Sequence, residues 1–113
     1  MRKILIILTL IFTFFTKNIA SKEKLAYDFS FNDIESGSIQ LNNYKDKTLI
    51  IVNVASRCGF TNQYKDLQNL WKKYKNDGLV IIAVPSNNFK QEPGTNTDIK
   101  NFCKNNFSID FPI

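Results

Sequence analysis

Histidine is absent from this 113-residue chain, and cysteine occurs only twice, at Cys58 and Cys103. With no imidazole, a Cys-His catalytic pair within the chain is excluded. Two thiols are too few ligands for a Cys/His zinc site, so no metal is expected. The Cys-x-x-Cys pair of a disulfide oxidoreductase is also missing, because Cys58-Gly59-Phe60-Thr61 ends without a second thiol. No internal repeat, low-complexity tract or linker interrupts the chain, whose length suits one small domain. No apolar run reaches the roughly 20 residues of a typical membrane span.

The longest apolar run, Ile4 to Phe15, follows a basic start at Arg2 and Lys3 and leads to a small residue, Ala20. That layout predicts a secretory signal peptide over residues 1–20, with an uncleaved anchor as the rival reading. Export to the periplasm or outside the cell follows, and membrane contact arises only if the leader is kept. The net charge falls from +5 to +2 once Arg2, Lys3 and Lys17 leave with the leader. The basic balance is therefore no argument for nucleic acid, and Lys72, Lys73 and Lys75 read as the solvated face of a helix.

Residues 21–113 read as an α/β domain. Tyr27 to Phe31 and Ser38 to Leu41 are predicted as short strands around a turn at Gly37. Leu49 to Val54 is a continuous apolar run, as in a strand covered on both faces. Tyr64, Leu67, Leu70, Trp71 and Tyr74 recur at helical spacing from Thr61 onward, and Gly78 stops that helix. Trp71 lies on the apolar stripe and reads as core. Leu79 to Val84 is a second buried strand ended by Pro85. A polar loop leads from Ser86 to Thr95 or Asn96, either of which can cap a helix holding Ile99, Phe102 and Cys103. This order of elements predicts parallel central strands.

Cys58 falls at the strand-to-helix bend. A thiol there is exposed and faces the positive end of a helix dipole, which favours the reactive thiolate. Two cysteines in an exported protein equally suit a structural disulfide. Both readings are open on these grounds, as are a thiolate-stabilising and a solvent-facing role for Arg57.

The stretch Asn53-Val54-Ala55-Ser56-Arg57-Cys58-Gly59-Phe60-Thr61-Asn62 resembles the active-site motif of glutathione peroxidases. Val84-Pro85-Ser86-Asn87-Asn88-Phe89 is similar to the family's second motif, and Gln91-Glu92-Pro93-Gly94-Thr95-Asn96 to its third. Phe102-Cys103 and Phe111-Pro112 are similar to the segment that follows. The resemblance runs from about Tyr27 to Ile113. Two departures stand out: Ser86 replaces a cysteine common in the family, and the loop before Gln91 is one residue short.

The resemblance implies a thioredoxin-like fold, a central sheet flanked by helices, and the reduction of hydroperoxides as part of the response to oxidative stress. Cys58 takes the place of the peroxidatic residue, and Gln91 belongs to the set that polarises it. Two more members of that set, a Trp and an Asn, would lie past Ile113, and Trp71 does not match that position. The C-terminal part of the fold is therefore expected to be missing, leaving the apolar faces of Leu49–Val54 and Leu79–Val84 incompletely covered. Cys103 takes the place of a resolving cysteine. The implied reductant is thioredoxin-like or glutathione, with no cofactor. The competing expectation is an inactive thioredoxin-like fragment braced by a Cys58–Cys103 disulfide.

Overall fold

The structure is a computed structural model and describes residues 22–113. The predicted signal peptide lies outside the described residues. A three-residue 3-10 turn at Ala26–Asp28 leads into β1 (Ser30–Asn32), which pairs antiparallel with β2 (Ser38–Gln40). The hairpin turns at Gly37, whose φ of 89° suits glycine. Both strands are shorter than predicted. The 3-10 turn occupies Ala26–Asp28, and a second one, Leu41–Tyr44, takes up the residue expected to end β2.

The centre of the fold is β3 (Thr48–Val54), α1 (Gln63–Tyr74) and β4 (Leu79–Pro85). β3 and β4 run parallel, with Ile50 opposite Ile81 and Val52 opposite Ala83. Parallel neighbours need a crossover, and α1 supplies it. α1 runs on into a 3-10 turn, Lys75–Asp77, which Gly78 ends at φ 93°, left-handed backbone that costs glycine little. Beyond β4, α2 (Asn96–Phe107) opens with Thr95 as its cap. The Thr95 hydroxyl accepts from the Asp98 N–H, and the Asp98 carboxylate accepts from the Thr95 N–H. This reciprocal pair satisfies two backbone donors at the helix start. Gly94 lies close against that first turn: a Cβ added there would stand 3.0 Å from the Asp98 Cβ.

Alternation along β4 divides the core. Leu79, Ile81 and Ala83 face a cluster that includes Tyr64 of α1, and Ile99 and Cys103 of α2. Val80 and Ile82 face the other way, onto Ile39 and Leu41. Both helices thus lie on one face, and the hairpin with its 3-10 turn covers the other. Trp71 packs as core, edge-on to Phe111 with ring centroids 6.4 Å apart. Phe111 to Ile113 runs beside β4, and the Ala83 N–H donates to the Pro112 carbonyl at 2.9 Å.

The two central strands compare differently with the expectation of burial, which β4 meets and β3 does not. β4 is closely covered, with Ile81 and Ile82 both 0% exposed. β3 is not buried on both faces. Among the described residues it has a strand neighbour only on the β4 side, and Ile51 is 46% exposed. The covering segment Ile39–Leu41 packs over Val80 and Ile82 and leaves Ile51 and Asn53 exposed.

Candidate functional site

The turn that carries Cys58 is held by local bonds. The Cys58 N–H donates to the Ala55 carbonyl at 3.4 Å, and the Thr61 N–H donates to the Cys58 carbonyl at 3.2 Å. Further turns through Phe60 and Thr61 deliver the chain to Gln63, where α1 begins. The thiol therefore stands five residues before the helix proper, not at its first turn. Its sulfur accepts a hydrogen bond from the Phe60 N–H at 3.5 Å. One backbone amide, that of Phe60, faces the thiol, and it comes from the turn and not from the helix end as expected.

Cys58 is half-buried at the edge of a cavity of about 60 Å³, with Val54, Ala55, Phe60, Tyr64 and Leu67 among its walls. The walls are mainly apolar, and Phe60 is 71% exposed at the rim. The Arg57 side chain is exposed and makes no hydrogen bond or ion pair among the described residues, which favours the solvent-facing reading.

Gln91 is brought to this turn by its backbone. The Arg57 N–H donates to the Gln91 carbonyl at 2.9 Å, setting Gln91 opposite the residue before Cys58. Its half-buried amide makes no described hydrogen bond to the Cys58 sulfur. The shortened loop closes through Lys90, which takes left-handed backbone at φ 57° and donates its N–H to the Asn87 carbonyl.

Cys103 is on the inner face of α2 and only 1% exposed. Burial, aided by the charge of Glu92, pushes its thiol up to about 11; the Tyr64 hydroxyl opposes that shift. Both thiols are free in this structure, so the bracing disulfide is not formed.

Two residues of the site were not singled out by sequence reasoning. Tyr64 lies between α1 and α2, stacked on Phe107 at 5.2 Å and edge-on to Phe102 at 6.2 Å. Its hydroxyl is buried beside the Cys103 thiol yet has no hydrogen bond of ordinary geometry. Burial first, then Cys103, Glu92 and Cys58, raise that hydroxyl's pKa well above the usual tyrosine value. The other residue is Glu92, a buried acid whose carboxylate accepts from the N–H and the hydroxyl of Ser56. Tyr64 gave a signal, its place on the α1 stripe, but that signal reads as core. Glu92 gave none beyond membership of the third motif.

A strand-to-helix turn above a pair of parallel strands, with both helices on one face, fits a thioredoxin-like fold. The comparisons agree. Residues 26–113 match the family model for glutathione peroxidase, and the chain belongs to that family. It is 48% identical over 96 residues to putative glutathione peroxidase 7, chloroplastic, of Arabidopsis thaliana, covering 83% of this chain and 41% of that protein. It is likewise 48% identical over 88 residues to glutathione peroxidase-like peroxiredoxin 2 of Saccharomyces cerevisiae, covering 77% and 54%. Among solved structures, that of T. cruzi GPX1 superposes with a TM-score of 0.58 at 34% identity, covering 80% of this chain and 53% of that one. The chain spans about half the length of the curated relatives it matches.

Proposed function

We propose that this chain carries the peroxidatic half of a thiol peroxidase that reduces hydrogen peroxide and organic hydroperoxides in the response to oxidative stress. The observation that carries the reading is Cys58 itself: a half-buried thiol on a turn, at the mouth of a small apolar cavity, with a backbone N–H on its sulfur.

The Cys58 thiolate attacks the terminal oxygen of the hydroperoxide. An S–O bond forms as the O–O bond breaks, and the leaving oxygen takes a proton to depart as water or an alcohol. Sulfur is oxidised to the sulfenic acid as the peroxide oxygen is reduced. Fixed donors stabilise the charge that develops. The Phe60 N–H is one, and the Gln91 amide is the second, turning toward the sulfur from its loop.

Cys103 then attacks the Cys58 sulfur, forming the S–S bond and expelling hydroxide, which is protonated to water. Disulfide geometry requires Cα atoms within about 7 Å. Because Cys103 begins buried inside α2, that helix opens locally for the step. A thioredoxin-like protein or glutathione supplies two electrons to restore both thiols. With residues 1–20 acting as a leader, these steps take place in an exported compartment.

Intact-mass measurement after one equivalent of peroxide tests the sequence of events. The expected product is two mass units lighter than the reduced chain, with Cys58 joined to Cys103. A lasting sulfenic acid on Cys58 beside a free Cys103 removes the resolving role. No oxidation of Cys58 removes the peroxidase reading altogether.

A further inference from the structure

One buried acid takes no part in the redox steps above. Glu92 is 5% exposed, and no cation pairs with it among the described residues. Instead, its Oε2 accepts from the Ser56 N–H at 2.6 Å and from the Ser56 hydroxyl at 2.8 Å. Its own N–H donates to Asn87 Oδ1 at 3.1 Å, which fixes the loop beneath it. Next to this pair, the Arg57 N–H donates to the Gln91 carbonyl at 2.9 Å. Residues 56–57 and 91–92 thus run together through three hydrogen bonds between segments far apart in sequence. Burying an acid is costly unless its oxygens are satisfied. Hydrogen bonds to a carboxylate are about twice as strong as neutral ones, and they fix geometry. An apolar residue would fill this space without the desolvation cost, so the acid's distinctive contribution is geometric. On one side of the junction, two residues on, is Cys58. On the other, immediately before Glu92, is Gln91.

We infer that Glu92 is a positioning residue: its carboxylate straps the turn that carries Cys58 to the loop that carries Gln91, and so holds the two segments side by side, within reach of a turn of the Gln91 amide. The inference rests on the reading of Cys58 and Gln91 given under Proposed function. Glu92 touches no substrate and acts through Ser56.

Two readouts on the same proteins test it: amide hydrogen exchange by NMR, and the second-order rate constant of Cys58 with hydrogen peroxide. In Glu92→Ala, exchange of the Arg57 amide rises by about tenfold or more while the Ile81 and Ile82 amides of β4 hold, and the peroxide rate falls by a similar factor. Glu92→Gln keeps one carbonyl acceptor and recovers both quantities to within about threefold. Ser56→Ala removes only the hydroxyl bond and falls between. The strap is overturned if the Arg57 amide stays protected in Glu92→Ala. It is equally overturned if the β4 amides accelerate as much as Arg57, which is general loosening. Should Glu92→Ala not fold, Ser56→Ala decides: faster exchange confined to the turn supports the strap, and unchanged exchange refutes it. If the parent protein reacts with peroxide no faster than free cysteine, the peroxidase reading fails, and the exchange data still judge the strap. If Gln91→Ala leaves the rate untouched while Glu92→Ala lowers it, Gln91 loses its role and Glu92 holds the turn alone.

Discussion

The two helices rest on the same face of the sheet and are held there by different means. α1 is rich in Leu, Lys and Gln, residues that enter helices readily. It starts without a side-chain cap, and it is tied down by tertiary contacts. Gln68 exchanges two hydrogen bonds with Asp110, at 2.6 and 3.1 Å, and Lys75 reaches the same carboxylate at 3.5 Å. α2 is the reverse. Asn96, Thr97, Asp98, Asn101, Asn105 and Asn106 are all weak helix formers. Its stability comes from the Thr95–Asp98 cap and from burying Ile99 and Cys103. Local opening falls on the element with the least intrinsic support. In this molecule that element is the one enclosing the second thiol, while the first sits on a turn fastened to the loop across from it.

The sharpest way to break the contrast is to remove each thiol in turn. Cys58→Ser is expected to abolish peroxide consumption in a stopped-flow assay. Cys103→Ser is expected to leave the first oxidation of Cys58 intact and to eliminate only the disulfide seen by mass spectrometry. Next in size is the cap. Thr95→Ala should cost α2 about 1 kcal/mol. Because Cys103 reacts only when the helix opens, its alkylation by iodoacetamide should quicken by about fivefold while Cys58 alkylation is unchanged.

The opposite change sharpens the contrast. Asn101→Ala combined with Asn105→Ala, both on the exposed side of α2, should stabilise it by roughly 0.5 kcal/mol each. Disulfide formation after a peroxide pulse should then slow, though the peroxide step does not.

The smallest effect belongs to the anchor of α1. The hydrogen bond from Gln68, with Lys75 assisting, holds the Asp110 carboxyl below its ordinary pKa. A carboxyl depressed on folding stabilises the fold above its unfolded pKa, and that contribution disappears as pH falls through the folded value. Melting temperatures of the parent and of Asp110→Asn should therefore differ near neutral pH and converge on acidification from about 4 toward 2.

Much of this was legible in the sequence because it depends on local rules. The apolar runs marked β3 and β4, Gly78 marked the end of the helix region, and Thr95 was a recognisable cap. Cys58 could be placed on a bend because a continuous apolar run gives way to helical spacing across it. What escaped depends on which segments meet. Nothing local in Leu49–Val54 tells how much of the strand the described residues cover, since an apolar run states a preference for burial and not the cover available. The helix end expected at Cys58 was displaced by five residues, because the chain first makes turns closed by backbone bonds between near neighbours. Nothing local marks Gln68 on a helix or Glu92 in a loop as buried. Each is buried because its partner, Asp110 or Ser56, arrives from a distant part of the chain.

The side of β3 that no described strand covers has a consequence apart from catalysis. In a protein made of these 113 residues alone, a strand with backbone donors and acceptors along one margin, and Ile51 beside them, is a template on which a like strand from another molecule can pair. Association of that kind grows with concentration and is blunted by a charge on the margin. Ile51→Lys therefore addresses the protein's behaviour as a colloid and leaves its sulfur chemistry alone.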